Sequence, residues 1–308
     1  MNRREFLGFG LGAAGALTLP GCLTTEDRLG KASRFRGIQV GAITYSYDSM
    51  PMHGEDILAT LDYCKGSGVA SIELMGGTIE SHIRPKGQKG FDVRAWREGF
   101  RDWGRLHDLR DRFLDAGIDI HIVKFGGVGP ASDGENDFFC NVAKAFGARA
   151  ITREIPRPED WTKLGPRLPA VADRNEMRIA FHNHCQINAR TYEGPLLGYS
   201  ERLGINFDFG HYTAANDDDP LAVIRRFRDC IVSVHLKDRK TKAHGQTNMP
   251  WGQGDTPLGP LFVMMVCEDC RFNADVELEY RIPTGSDAVR EVGRCVRYAA
   301  DRIEAVHA

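Results

Sequence analysis

The segment IVSVHLKD, residues 231–238, reads as a buried strand whose apolar run ends in His235, Lys237 and Asp238. Three other segments close in the same manner: INFDFGH (Ile205 to His211), IAFHNH (Ile179 to His184) and DVELEY (Asp275 to Tyr280). Near-continuous apolar runs mark strands covered on both faces, as in a parallel sheet wrapped by helices. Four such strands, each delivering His, Asp or Glu at its C-terminal end, bring ligands to one rim. That rim is where a parallel barrel carries its chemistry.

Working outward, apolar β-branched runs recur near Ile38–Thr44, Ala70–Leu74, Ile118–Val123, Ala148–Ile155, Arg178–His184, Ile205–Phe209, Cys230–Leu236 and Ala274–Tyr280. Longer amphipathic segments separate them, including Glu55–Lys65, Val93–Ala116, Glu159–Ala172, Pro220–Arg228 and Ser286–Val306. The last carries Val289, Val292, Val296, Ala299 and Ile303 at helical spacing. Eight strand–helix units without a long linker predict an α/β chain folded as a single (β/α)8 TIM barrel over residues 31–308. The segment Arg239–Pro260 is longer than an ordinary strand-to-helix loop and contains PWGQGD, residues 250–255. Loops of that length after barrel strands commonly shape a pocket. The phosphate-loop spacing of glycines and lysine is absent from it.

Residues 1–30 read as a leader and short linker. Arg3-Arg4-Glu5-Phe6-Leu7 precedes a Gly/Ala-rich apolar stretch from Gly8 to Leu19. A charged start before a short apolar stretch is an export signal, since a membrane span needs about 20 apolar residues. The paired arginines point to twin-arginine export, hence to a periplasmic protein. Leu19-Pro20-Gly21-Cys22 is similar to a lipobox, which would make it a lipoprotein anchored at Cys22. The remaining cysteines, Cys64, Cys140, Cys185, Cys230, Cys267, Cys270 and Cys295, are odd in number and irregularly spaced. They form no disulfide framework, and Cys267-x-x-Cys270 lacks the second pair of a zinc site. A formal charge of −2 and a pI near 6.6 exclude a general nucleic-acid surface.

Strand side chains alternate between two faces, so parity tells which groups share a pocket. His235 pairs with Lys237, Asn206 with Asp208 and His182 with His184, while Asp275, Glu277 and Glu279 fall on one face at successive heights. Carboxylates crowded into one mouth lose hydration at a cost of roughly several kcal/mol each, and a divalent cation relieves that conflict. Asp208, His235 and Glu277 supply mixed oxygen and nitrogen ligands, which suit Mn²⁺ first, with Mg²⁺, Zn²⁺ or Co²⁺ open. Glu154, ending the run from Ala150, is the candidate fourth ligand.

The His182-Asn183-His184 strand end, Asp208-Phe209-Gly210-His211, His235-Leu236-Lys237-Asp238 and Glu277-Leu278-Glu279 together resemble the xylose isomerase-like sugar isomerase/epimerase superfamily, from about Ile38 onward. The loop at 250–255 looks like that of an exported bacterial subgroup labelled sugar phosphate isomerase/epimerase. The resemblance implies metal ligands Glu154, Asp208, His235 and Glu277, with Glu154 and Glu277 as the catalytic proton-transfer pair. It implies that His184, His211 and Lys237 hold substrate or steady the metal ligands, and that the substrate is a small sugar or keto-sugar. A carbonyl polarised by the cation acidifies the neighbouring C–H, and a carboxylate base then forms an enediolate. Proton return gives isomerisation or epimerisation. Loss of a β-substituent gives the alternative, a keto-glycoside lyase or hydratase.

Two other readings compete. A repair phosphodiesterase on the same scaffold would want several metals and a basic DNA-facing surface. A noncatalytic, exported sugar-binding barrel would follow if the fourth ligand were missing. Trp251 is a candidate sugar-stacking ring, and Lys124 a candidate anion or keto-oxygen ligand at the end of the third strand. Tyr45 and Glu73 end the first two strands as pocket-lining candidates. His53, His82, His107, His121, His244 and His307 take no role from the sequence, and assembly into a homo-oligomer stays open.

Overall fold

The computed structural model describes residues 32–307 apart from Gly194. The leader, including Cys22, lies outside the described residues. Eight parallel strands form the centre: β1 (Ile38–Ile43), β2 (Ser71–Met75), β3 (Asp119–Lys124), β4 (Ala150–Glu154), β5 (Arg178–His182), β6 (Leu203–Asp208), β7 (Ile231–Leu236) and β8 (Asn273–Val276). Each pairs with its neighbour in sequence, and β8 closes onto β1, so the sheet is the barrel that the alternating units predict. A two-residue strand, Arg34–Phe35, folds back antiparallel on β1.

Alternation sorts the strand residues into two layers. Phe207, Val234, Leu236, Ala274 and Val276 face outward and are fully or almost fully buried against the helical shell, each large side chain contributing about 1.5–3 kcal/mol. Inside, where such barrels usually stack branched apolar side chains, this one carries a polar column. Arg149 Nη2 lies 2.6 Å from Asn273 Oδ1 and 3.2 Å from His121 Nδ1 at the bottom. His121 Nε2 lies 3.0 Å from Asp275, which also accepts from Ser233. Glu73 sits higher, taking hydrogen bonds from Asn206 at 2.7 Å and from Thr152. Buried polar groups without partners are costly, so these mutual bonds are what make a polar interior tolerable.

Local signals explain the shell. Asp56 caps the helix Ile57–Ser67, and Ser132 with Glu135 forms a reciprocal capping box on Asp133–Ala145. Two expected helices are each divided. Val93–Ala116 breaks into Val93–Gly99 and Trp103–Asp115, because the chain turns to bury Phe100 edge-on against Trp103 and Phe138. Glu159–Ala172 becomes Trp161–Leu164 and Arg167–Arg174, divided at Pro166, which has no N–H to continue the ladder. The expected strand Ala274–Tyr280 stops at Val276. Beyond it, Glu277 donates its N–H to Leu236 and Leu278 to Ser46 Oγ. All seven described cysteines are free thiols. No helix among the described residues is long and apolar enough to cross a membrane.

Candidate metal centre

Four strands set the centre at their C-terminal ends. His182 ends β5, Asp208 ends β6, His235 is the fifth residue of β7, and Glu277 follows β8 directly. One ligand atom from each lies within 4.8 Å of all the others, and all four residues are buried. Asp208 caps the helix Phe209–Ala215, its Oδ1 accepting from the His211 N–H at 2.7 Å. That leaves Oδ2 for the site, 3.4 Å from His182 Nε2. Asn183 clamps the same strand end, accepting from the Asp208 N–H at 2.8 Å and donating to its carbonyl at 3.1 Å. Tyr192 in turn holds the Asn183 amide at 2.9 Å.

Each buried histidine has a carboxylate behind it. His182 Nδ1 lies 3.1 Å from Glu154 Oε2, with Nε2 turned to Asp208 and Glu277. His235 Nε2 lies 2.7 Å from Glu73 Oε2, with Nδ1 2.9 Å from Glu277. Carboxylate–histidine pairs of this kind fix the ring and its tautomer for metal ligation. The donor set also includes buried atoms with few hydrogen bonds of their own. His182 Nε2 and His211 Nε2 are sealed from solvent without a hydrogen-bond partner, and Asp208 Oδ2 and Lys237 Nζ, equally sealed, meet as an ion pair at 3.0 Å without a well-aligned hydrogen bond. Mixed N/O donors with unsatisfied inward atoms fit a divalent cation.

Charge within the cluster is balanced by a buried lysine. Lys237 Nζ reaches Asp208 and Glu277 at 3.0 Å each and Glu279 at 2.7 Å. It can lie there because position 210 is glycine: a Cβ at Gly210 would fall inside the Lys237 side chain. Burial opposes the Lys237 charge, but Asp208, Glu277 and Glu279 together raise its pKa. Burial likewise opposes the charge on His235, yet Glu73 and Glu277 raise its pKa to about 9. Against the upward push of burial, Lys237 lowers the pKa of both Asp208 and Glu277, and His235 brings Glu73 down to about 2. Burial dominates at His211, taking it down to about 3.

The residues named from the sequence divide into those in the ring and those around it. Asp208, His235 and Glu277 stand together; the fourth member is His182, with Glu154 one step behind it. Glu154 pairs with Lys124 at 2.8 Å, approaches His184 at 3.6 Å, and has a side chain 43% exposed at the rim. His184 and His211 rings lie 4.8 Å apart beside the ring of four. Trp251 packs edge-on against Tyr298 of the final helix. Its loop is tied down by Asp238, which accepts from Gly252 and Gly254 at 2.8 Å. Tyr45 and Glu279 line a 470 Å³ recess at the same mouth. Arg239, which contacts His211 and Cys185, carried no sequence signal beyond its place one residue after the His-Leu-Lys-Asp run.

The family profile of xylose isomerase-like TIM barrels matches residues 140–299, just over half of the 308 residues. No curated protein gives a significant match. Solved structures similar to the chain include the probable 3-DHS dehydratase AsbF from Bacillus anthracis (14% identity, TM-score 0.62, covering 84% of this chain and 98% of that one). A sugar phosphate isomerase/epimerase from Parabacteroides distasonis aligns at 18% identity and TM-score 0.59, over 86% of this chain and 94% of its own. The 3-keto-D-glucoside 4-epimerase YcjR from E. coli gives 14% identity and TM-score 0.59, over 85% and 99%. At these identities the likeness speaks for the fold, while the profile match carries the classification. The chain belongs to the xylose isomerase-like TIM barrel family.

Proposed function

We propose that the protein is a divalent-metal-dependent carbohydrate isomerase or epimerase, with His182, Asp208, His235 and Glu277 holding the cation. The observation that carries this reading is the buried ring of four, in which both histidines are backed by carboxylates. When bound, the cation supplies Lewis-acid polarisation of a carbonyl and the adjacent hydroxyl. Glu154 is ionised, since His182 and Lys124 lower its pKa despite burial. In this reading Glu154, at the rim, takes a proton from the carbon beside the carbonyl, and Glu277 is the counterpart on the β8 side. Lys237 and His184 offer donors to a developing oxyanion, an effect that grows as water is excluded. Family membership supports a small sugar or keto-sugar as substrate. Mn²⁺ is our first choice of metal, on the mixed O/N donor set.

Elimination shares the first proton removal and is read by the same assay. Metal content is measured on the purified protein, which is then mixed with keto-sugars and 3-keto-glycosides in D₂O. Solvent deuterium at the carbon next to the carbonyl, lost in Glu154→Gln and Glu277→Gln, supports the proposal. Bound metal with no exchange across the panel would leave a sugar-binding barrel as the better reading. From Arg3-Arg4 and the apolar stretch that follows, we place the mature enzyme in the periplasm, with a lipid anchor at Cys22 as a variant of the same reading.

A further inference from the structure

The opposite mouth of the barrel holds a second cavity, of about 560 Å³, at the N-terminal ends of the strands. Arg149 precedes β4, Arg178 opens β5, Ile231 opens β7, and Phe272 precedes β8; Arg228, Arg271, Asp229 and Asp269 complete the charged lining. Two of these arginines are already engaged. Arg271 pairs with Asp269 at 3.0 Å, and Arg228 donates to the Glu268 carbonyl. The other two are unanswered: among the described residues, neither Arg149 nor Arg178 has a carboxylate within 4.0 Å. Asp119, at the start of β3, feels Arg149 only through space, and burial raises its pKa all the same.

Arg178 is half-buried at the cavity wall. Its Nε is sealed without a hydrogen-bond partner, and Nη2 makes only a long contact of 3.5 Å with the Cys230 carbonyl. A partly desolvated guanidinium without a carboxylate partner keeps its capacity for an anion, which would regain the hydrogen bond that Nε lacks. Arg149 is held in position by Asn273 and His121 from inside the barrel, which removes much of the ordering cost of binding. Guanidinium forks from separate strands, converging on one cavity, match an oxyanion with several oxygens. We propose that this floor cavity binds a phosphate-type dianion between Arg149 and Arg178. The cavity far exceeds one phosphate group, so a phosphomonoester with an organic portion fits the same chemistry.

Calorimetric titration of the full chain with inorganic phosphate at low ionic strength tests the site. The expected result is saturable binding with a Kd on the order of 1 mM or tighter, weakened at least about tenfold in Arg149→Met and Arg178→Met. Phenylglyoxal labelling of the unsubstituted protein, mapped by mass spectrometry, provides a check that needs no variant. Phosphate must protect Arg149 and Arg178 while exposed Arg94 keeps reacting. Competition with glycerol phosphate separates the two sources: tighter binding assigns an organic phosphomonoester, and equal binding assigns the inorganic ion. No saturable binding, binding that both variants retain, or labelling of both arginines unchanged by phosphate would overturn the proposal. Asp208→Ala should bind phosphate as the unsubstituted protein does, so failure of the metal reading would leave this result intact.

Discussion

The two mouths of this barrel face opposite electrostatic problems and answer them differently. At the C-terminal mouth, Glu73, Glu154, Asp208, Glu277 and Glu279 crowd together, and Lys124, Lys237, His182 and His235 supply the opposing charge. At the N-terminal mouth, Arg149 and Arg178 converge without a carboxylate close to either, and Arg149 instead leans on Asn273 and His121. The polar column between them, set beside a small apolar cluster of Ile122, Ala150, Ala180 and Val232, shows that a barrel interior can carry many polar groups if each layer satisfies the next. The difference is in what arrives from outside. A cation entering the upper site must displace charges already there, whereas an anion entering the lower one finds Arg149 and Arg178 free of ion pairs, the carboxylates of Asp229 and Asp269 standing elsewhere in the lining.

The strongest way to break that contrast is Lys237→Met. With its cation removed, the buried carboxylates of Asp208 and Glu277 lose their counter-charge, and the metal-free protein should lose about 3 kcal/mol of stability. Added Mn²⁺ should then restore more stability to the variant than to the unsubstituted protein. Denaturant unfolding, run with a chelator and with metal, measures both effects. Equal stability of the two chelated proteins would mean that Lys237 does not hold the site together.

Asp208→Ala comes next, and should lower metal affinity by more than about 100-fold, beyond what loss of an outer partner causes. Glu154→Gln, one bond further from the centre, should cost about 10- to 100-fold through a loosened His182 ring. Metal titrations of the two variants, side by side, rank the positions. Equal losses would place Glu154 among the direct ligands and demote its role as a support for His182.

How far the sequence led can be judged from these same residues. Alternation put Asp208, His235 and Glu277 on inward faces, and the apolar runs gave eight parallel strands. Parity also put His182 and His184 on one face, but parity does not measure depth. His182 lies at the end of the ladder, where its ring drops into the barrel, while His184 stands beyond it at the exposed rim. Glu154 shows the same limit, for its strand neighbours Lys124 and His182 draw its carboxylate to the rim. The support that Glu73 gives His235 spans 162 positions of chain, a distance only the closed barrel brings together. The arginine cavity had no motif at all, because Arg149, Arg178, Arg228 and Arg271 are scattered along the sequence and meet only at the strand starts.

Proton competition acts gradually, unit by unit of pH, and gives the sharpest contrast between the ends. In the metal-free protein His235 has its pKa raised to about 9, against an ordinary value near 6.5. Its protonated form therefore stabilises the metal-free fold fully below about pH 6.5, and that contribution is lost as pH rises through about 9. A metal requires the neutral ring, so binding must expel this proton. The His235 proton alone makes affinity rise about tenfold for each pH unit between 7 and 9, or about 1.4 kcal/mol per unit. Burial opposes the charge on His182 too, yet its pKa is raised well above the ordinary value, so it adds a second proton to the release in weakly buffered solution. Glu73→Gln removes one of the two carboxylates that hold the proton, so the slope should flatten at a lower pH in that variant. Guanidiniums at the other mouth keep their charge throughout this range, so pH acts on one end alone. A metal affinity independent of pH from 7 to 9 would mean that His235 is already neutral, and that Glu73 orients the ring without charging it.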